Sequence, residues 1–252
     1  MTGFLDFALT PLFAGLVVAA LLAALAALAW IRRGPEDTLL IALLRLVLDL
    51  YMRVFHRLHW MPPAAPIPLQ GPAIVVANHR SGVDPLAVAA STRRLIHFLM
   101  AREYYEIPWL RWFFRLSGAI PVNRDGNDLG ATKAALKILR DGELLGIFPQ
   151  GGISLKAGEP LGGKSGAALL ALKTEAPVVP AHITGTPSCE SVLRALLTPS
   201  RSAVRFGEPV RFSPPLGRKP SREEVDALAR QILERVEKLR PEHSPAAQPL
   251  RP

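Results

Sequence analysis

The chain has 252 residues, 49% apolar and 20% charged, with a net charge of +9 and one cysteine, Cys189. That length excludes an array of several domains, and the apolar share excludes a disordered chain. A single cysteine excludes an intramolecular disulfide framework and a multi-cysteine metal site.

Phe7 to Ile31 contains no charged residue. As a helix, this stretch would span about 37 Å, enough to cross a hydrocarbon core of roughly 30 Å. Arg32 and Arg33 follow at once, which predicts a retained anchor with its C-terminal side in the cytoplasm. A cleaved signal peptide would need a basic start and a shorter apolar core. Thr38 to Trp60 carries polar residues about one helical turn apart, at Arg45, Asp49, Arg53 and His56. It reads as an amphipathic helix that either lies in the membrane interface or packs on the main domain. Residues 1–61 are therefore expected to form the membrane-associated part. Residues 62–72, with five prolines, form a stiff linker.

From Ala73 the pattern alternates. Strands are expected at Ala73–Ala77, Leu95–Met100, Leu144–Phe148, Val178–Ile183, Ala203–Phe206 and Val210–Phe212. Helices are expected at Pro85–Thr92, Ile107–Leu116, Leu129–Arg140, Ser165–Thr174 and Ser221–Leu239, the last opened by a Ser221/Glu224 capping box. This rhythm predicts an α/β domain over 73–240 with a mainly parallel central sheet flanked by helices. Residues 241–252 read as a proline-rich, disordered tail. The arginines at 93, 94, 102, 111, 115 and 124 are dispersed and form no polybasic arm, so no nucleic-acid partner is expected.

Three segments could carry chemistry. In Asn78-His79-Arg80-Ser81-Gly82-Val83-Asp84-Pro85, a strand runs into a helix with a histidine in the turn and an aspartate five positions on. Ligands of open α/β sheets bind at the carboxyl ends of strands. An imidazole there can take a proton from a hydroxyl while a carboxylate fixes its tautomer. Alternatively, Asp84-Pro85 is an ordinary helix start and His79 a turn residue. The second segment ends at Arg124 after a short extended run. Its guanidinium suits a phosphate, or is simply solvated. The third is Phe148-Pro149-Gln150-Gly151-Gly152, whose glycine amides could face an oxyanion or form a plain turn. Lys164 precedes a helix start that could also meet an anion.

Together, and in this order, the segments resemble the glycerolipid acyltransferase family, known best for lysophosphatidic acid acyltransferases. Asn78, His79 and Asp84 match its Asn-His-x4-Asp motif, and Arg124 matches the arginine that closes its second region. Arg102 stands where that region has an upstream lysine. Phe148, Pro149, Gly151 and Ser154 match Phe-Pro-Glu-Gly-Thr-Arg-Ser, and Lys164 and Gly166 match the Lys-x-Gly that follows. Val178-Val179-Pro180 matches a fourth, apolar motif. The resemblance covers residues 71 to 212. It implies an O-acyltransferase in which His79 is the general base and Asp84 orients it. It also implies that Arg102, Arg124, Gln150, Gly151, Gly152 and Lys164 bind substrate.

The donor would be acyl-CoA or acyl carrier protein, with no metal, no other cofactor and no acyl-enzyme. The acceptor would be a lyso-glycerolipid, first of all 1-acyl-sn-glycerol-3-phosphate, and the catalytic domain would sit on the cytoplasmic face of the cell membrane. Gln150 and Ile153 replace the family's Glu and Arg. Each charged hydrogen bond lost from a phosphate is worth about 1.5–3 kcal/mol. The two replacements therefore admit a second class of acceptor: a lyso-aminolipid, a glycolipid or a carotenoid glycoside. A non-catalytic membrane lipid-binding protein is the third possibility. Oligomeric state is left open.

Overall fold

The computed structural model describes residues 14–15, 17–28, 38–61, 67–123, 128–153, 165–189, 191–215 and 217–241. Its elements, in order, are α1 (17–28), α2 (Leu39–Val54), β1 (His59–Met61), β2 (Ala73–Ala77), α3 (Asp84–Ala90), β3 (Ile96–Ala101), α4 (Arg102–Tyr105), α5 (Arg111–Leu116), β4 (Ile120–Val122), α6 (Leu129–Arg140), β5 (Leu144–Ile147), α7 (Gly166–Thr174), β6 (Val178–Thr184), α8 (Val192–Leu196), β7 (Ala203–Phe206) and α9 (Arg222–Lys238).

One seven-stranded sheet runs β1-β7-β6-β2-β5-β3-β4. Strands β2 to β6 are mutually parallel. β7 pairs antiparallel with β6, and β1 lies parallel to β7. The sheet is therefore mixed, with its parallel part in the middle and one reversed edge. Parallel strands covered on both faces read as unbroken apolar runs. β2 follows that rule: Ile74 and Val76 enter the core under α6, α7 and α9, while Ala73, Val75 and Ala77 enter the core shared with α2, α3 and α8.

α2 packs on the domain. Its Met52 is buried in the second core, and Arg45 donates to the Thr92 carbonyl at 2.6 Å. Just beyond the helix, buried His56 joins Ser200 Oγ (2.8 Å) and the Tyr51 hydroxyl (2.9 Å), and that hydroxyl donates to the Leu196 carbonyl. The outer side of α2 nevertheless exposes Leu40, Val47, Leu50 and Val54. The helix stops at Val54 instead of continuing to Trp60, because His59–Met61 pairs with β7.

Part of the stretch 7–31 lies outside the described residues. Residues 17–28 are helical and expose Val17, Val18, Leu21, Leu22 and Leu25. Among the described residues, no helix is long and apolar enough to cross a membrane. Residues 62–66 of the expected linker and 242–252 of the expected tail also lie outside the described set. At Val210–Phe212 there is only a bridge from Val210 to Val178, not a strand.

Gly146 of β5 sits opposite Phe98 of β3 in register. A Cβ there would meet the Phe98 ring at 2.3 Å and Ile96 at 2.8 Å. Overpacking of this kind typically costs about 1–3 kcal/mol. Gly146→Ala should lower stability by that amount in urea denaturation. An unchanged midpoint would mean that the Phe98 ring shifts without cost.

Candidate active site

β2 ends against β6 through a side chain. The Asn78 amide nitrogen donates to the Ile183 carbonyl (2.9 Å), and its oxygen accepts the Ile183 N–H (2.7 Å). The chain then turns through residues 79–83 into α3. The N-cap of α3 is Val83, which makes no side-chain cap bond, and Asp84 is the first helical residue, followed by Pro85. Asp84 thus does not cap its helix. It turns back on the loop.

Its carboxylate is fully buried and collects four donors. Oδ2 accepts from the His79 ring Nδ1 (3.0 Å), the Arg80 N–H (2.6 Å) and the Ser81 N–H (2.8 Å), while Oδ1 accepts from the Thr186 hydroxyl (2.8 Å). With both oxygens accepting, Nδ1 of His79 carries the proton and Nε2 keeps the lone pair. Thr186, in the loop after β6, was not among the residues expected here. Its signal was its place: the strand beside β2 ends at Thr184, and binding residues gather after such strand ends.

His79 is clamped from three sides. Asp84 holds Nδ1. The Gln150 side-chain oxygen accepts the His79 backbone N–H at 2.6 Å. Phe148 stacks on the imidazole with centroids 4.3 Å apart, and Phe98 stacks behind Phe148 at 5.6 Å. The ring remains 15% exposed and opens on an apolar cavity of about 1310 Å³. Leu44 and Leu48 of α2, Leu86 of α3, Phe113 and Phe114 of α5, and Ile153 also line the cavity.

The expected substrate-binding residues divide. Gln150 is brought to His79, where its carbonyl oxygen positions the loop. Gly151 takes a left-handed turn with φ +71°, and its N–H is committed to the Phe148 carbonyl at 3.1 Å. Around the Gly152 Cα there is open space: an added Cβ would meet nothing within 4 Å. Arg102 is held at the start of α4. Its Nε donates to Asn123 Oδ1 (2.6 Å), and the Glu106 and Asp128 carboxylates lie at 3.5 and 3.9 Å. Hydrogen bonds from the Ala131 and Asn123 amides hold the Asp128 carboxyl below its ordinary pKa, so Arg102 faces an ionised neighbour. Arg124 and Lys164 lie outside the described residues. Ser165, just after Lys164, bonds Asp226 of α9. Cys189 is buried, with Sγ 3.4 Å from the Ser191 carbonyl. Among the described residues, no group of three His, Cys, Asp or Glu could hold a metal.

His182 of β6 lies behind this loop. Burial, followed by the charges of Arg240, Arg205 and Arg80, lowers its pKa from 6.5 to about 4, and the Asp84 charge opposes them. Between those values the unfolded chain takes up a proton that the folded chain refuses. The stability held by His182 is complete above pH 6.5 and is lost as pH falls towards 4, by about 3 kcal/mol in all. His56, lowered by burial, tilts stability the same way. Denaturant midpoints should fall between about pH 7 and about pH 4.5, and His182→Asn should flatten the decline. An equal slope in that variant would assign the effect elsewhere.

An acyltransferase family model matches residues 61–184. A 1-acyl-sn-glycerol-3-phosphate acyltransferase of Bacillus subtilis is 25% identical over 174 residues, 69% of this chain and 83% of that protein. One from Streptococcus pneumoniae is 28% identical over 168 residues, 66% of this chain and 60% of that protein. The crystal structure of the 1-acyl-sn-glycerophosphate (LPA) acyltransferase PlsC from Thermotoga maritima shares the fold, with a TM-score of 0.58 and 24% identity over 85% of this chain and 89% of its own.

Proposed function

Since the chain belongs to the glycerolipid acyltransferase family, we propose that it moves a fatty acyl group from a thioester, acyl-CoA or acyl carrier protein, to the hydroxyl of 1-acyl-sn-glycerol-3-phosphate, giving phosphatidic acid. The observation that carries this reading is the position of the His79–Asp84 pair on the wall of a large apolar cavity. Pockets for small ligands enclose about 300–1,000 Å³. This one exceeds them and is lined by leucine, isoleucine and phenylalanine, which suits an acyl chain.

The step uses the lone pair on His79 Nε2. It takes the acceptor hydroxyl proton as the oxygen attacks the thioester carbonyl carbon. A C–O bond forms, the C–S bond breaks, and the imidazolium returns its proton to the departing thiolate. Asp84 stabilises the imidazolium from the far side of the ring. The Gly152 amide is the candidate donor to the transient oxyanion. Cys189 is buried against the Ser191 carbonyl. In this reading the acyl group passes directly between the two substrates, and Cys189 takes no part.

A membrane location supports the same chemistry, because both substrates carry insoluble chains. The apolar outer faces of α1 and α2 would meet the bilayer at the cell membrane, with Arg32 and Arg33 on the cytoplasmic side. A second acceptor class is favoured by one observation: Ile153 is apolar and lines the cavity, while carboxylates already counter Arg102.

The test is a competition assay on the full chain in mixed micelles, with both donor types, a pool of lyso-lipids and products read by mass spectrometry. Phosphatidic acid is the expected main product. Another acylated lipid, with lysophosphatidic acid ignored, would establish the second class. No product from any pair, with folded protein, would leave a lipid-binding protein.

A further inference from the structure

The loop after β2 runs beside the loop after β6, and the two are joined along their length. At their roots the Asn78 amide bonds Ile183. Further on, Ser81 bridges to Cys189 in parallel register. Between these links the buried Thr186 hydroxyl donates to Asp84 Oδ1 at 2.8 Å. The second loop holds that hydroxyl in one place. Gly185 turns the chain off β6 with φ +73°, where a Cβ would run into the Arg201 carbonyl. Pro187 follows Thr186 and steers its backbone to extended values. The branched Cβ of threonine restricts χ1.

The two oxygens of Asp84 have separate tasks. Oδ2 accepts from the His79 ring and from two amides of its own loop, and Oδ1 accepts from Thr186. The last torsion of an aspartate is broad and roughly two-fold by itself. With Oδ2 alone held, the carboxylate can pivot about that oxygen. A donor fixed on Oδ1 stops the pivot. The direction in which Oδ2 meets His79 Nδ1 is therefore set from the second loop.

We propose that Thr186 is a positioning residue for the reaction: through Asp84 it aims the His79 ring, and with it Nε2, at the acceptor hydroxyl. This rests on the acyltransferase reading and deepens it. Nδ1 and Nε2 belong to one rigid ring, so a tilt at the Asp84 contact is carried to the base. A misplacement of about 1 Å can cost as much as 10²-fold in rate. Thr186 meets the carboxylate and not the substrates, so its removal acts on turnover and leaves binding alone.

The test uses the full chain in micelles. Thr186→Val keeps the shape and removes the donor, whereas Thr186→Ser keeps the donor. In the valine variant kcat should fall about tenfold with KM for donor and acceptor unchanged, and serine should restore it to within about twofold. If valine prevents folding, Thr186→Cys, whose thiol is a weak donor, takes its place. The ring is read separately, without turnover. With nitrogen-15 histidine, long-range proton–nitrogen spectra report the His79 tautomer, assigned by the signals that His79→Ala removes. Thr186→Val should shift or broaden those signals and leave His56 and His97, which bond elsewhere, in place. Unmoved His79 signals would overturn the proposal whether or not the enzyme turns over. So would wild-type kcat in the folded valine variant. A kcat that serine does not recover, or a shift shared by all three histidines, would overturn it by assigning Thr186 to packing alone. Acyl transfer absent even in wild type, with the His79 signals moved as expected, would fault only the catalytic reading.

Discussion

His79→Ala should lower turnover by about 10²–10⁴-fold, the range a positioned general base supplies. The lone pair on Nε2 is the only base the loop presents to the cavity among the described residues. Water cannot replace it there, because the cavity wall around it is apolar. The fold should survive. The ring is partly exposed, and the backbone N–H that binds Gln150 is kept by alanine. Turnover and circular dichroism on the same preparation separate these outcomes. A folded variant with the wild-type rate would remove His79 from the reaction.

Asp84 is expected to show the second large effect, split between two substitutions. Asp84→Ala strips four donors of their acceptor inside the fold: the His79 ring, two backbone amides and the Thr186 hydroxyl. Each buried donor left unsatisfied costs about 1–3 kcal/mol, so a loss of at least about 3 kcal/mol is expected. Asp84→Asn keeps the shape and an acceptor oxygen but not the charge. Its oxygen can keep the three donors on the Oδ2 side while its amide nitrogen donates to the Thr186 hydroxyl, so what is lost is the charge that stabilises the imidazolium. Turnover should fall by about 10²–10⁴-fold while stability changes far less. Urea denaturation and steady-state rates on both variants check the split. An active Asp84→Asn enzyme would mean that the carboxylate serves packing alone.

The parallel centre of the fold was readable because its strands are covered twice. β2 and β5 appear as short unbroken apolar runs, and β6 as one interrupted before Thr184 only by the buried His182. α9 was readable from local chemistry, since the Ser221 hydroxyl and the Glu224 carboxylate form the capping box in place. The reversed edge was not. β1 has three residues and exists through its pairing with β7, some 140 positions later, which no local pattern encodes. α8 was missed for its brevity, although Ser191 is a proper N-cap that accepts the Arg194 N–H. In the site, the spacing of His79 and Asp84 foretold their contact. The Thr186 hydroxyl and the Phe148–Phe98 stack were hidden because they come from other strands and meet only in the folded sheet. Gln150 differs in another way. Sequence offered it to the substrate, whereas its oxygen points at the His79 backbone.

The pair of bonds between the Asn78 amide and Ile183 has a consequence for how the molecule opens. A side chain here continues a backbone ladder, so the root of the catalytic loop belongs to the cooperative unit formed by β2 and β6. Loops usually exchange their amide hydrogens through small local fluctuations, while central strands exchange only when the whole domain opens. The Ile183 amide should behave as a central-strand amide although it bonds a loop residue. Warming should then abolish activity together with the fold, not ahead of it, because the base has no private route to disorder.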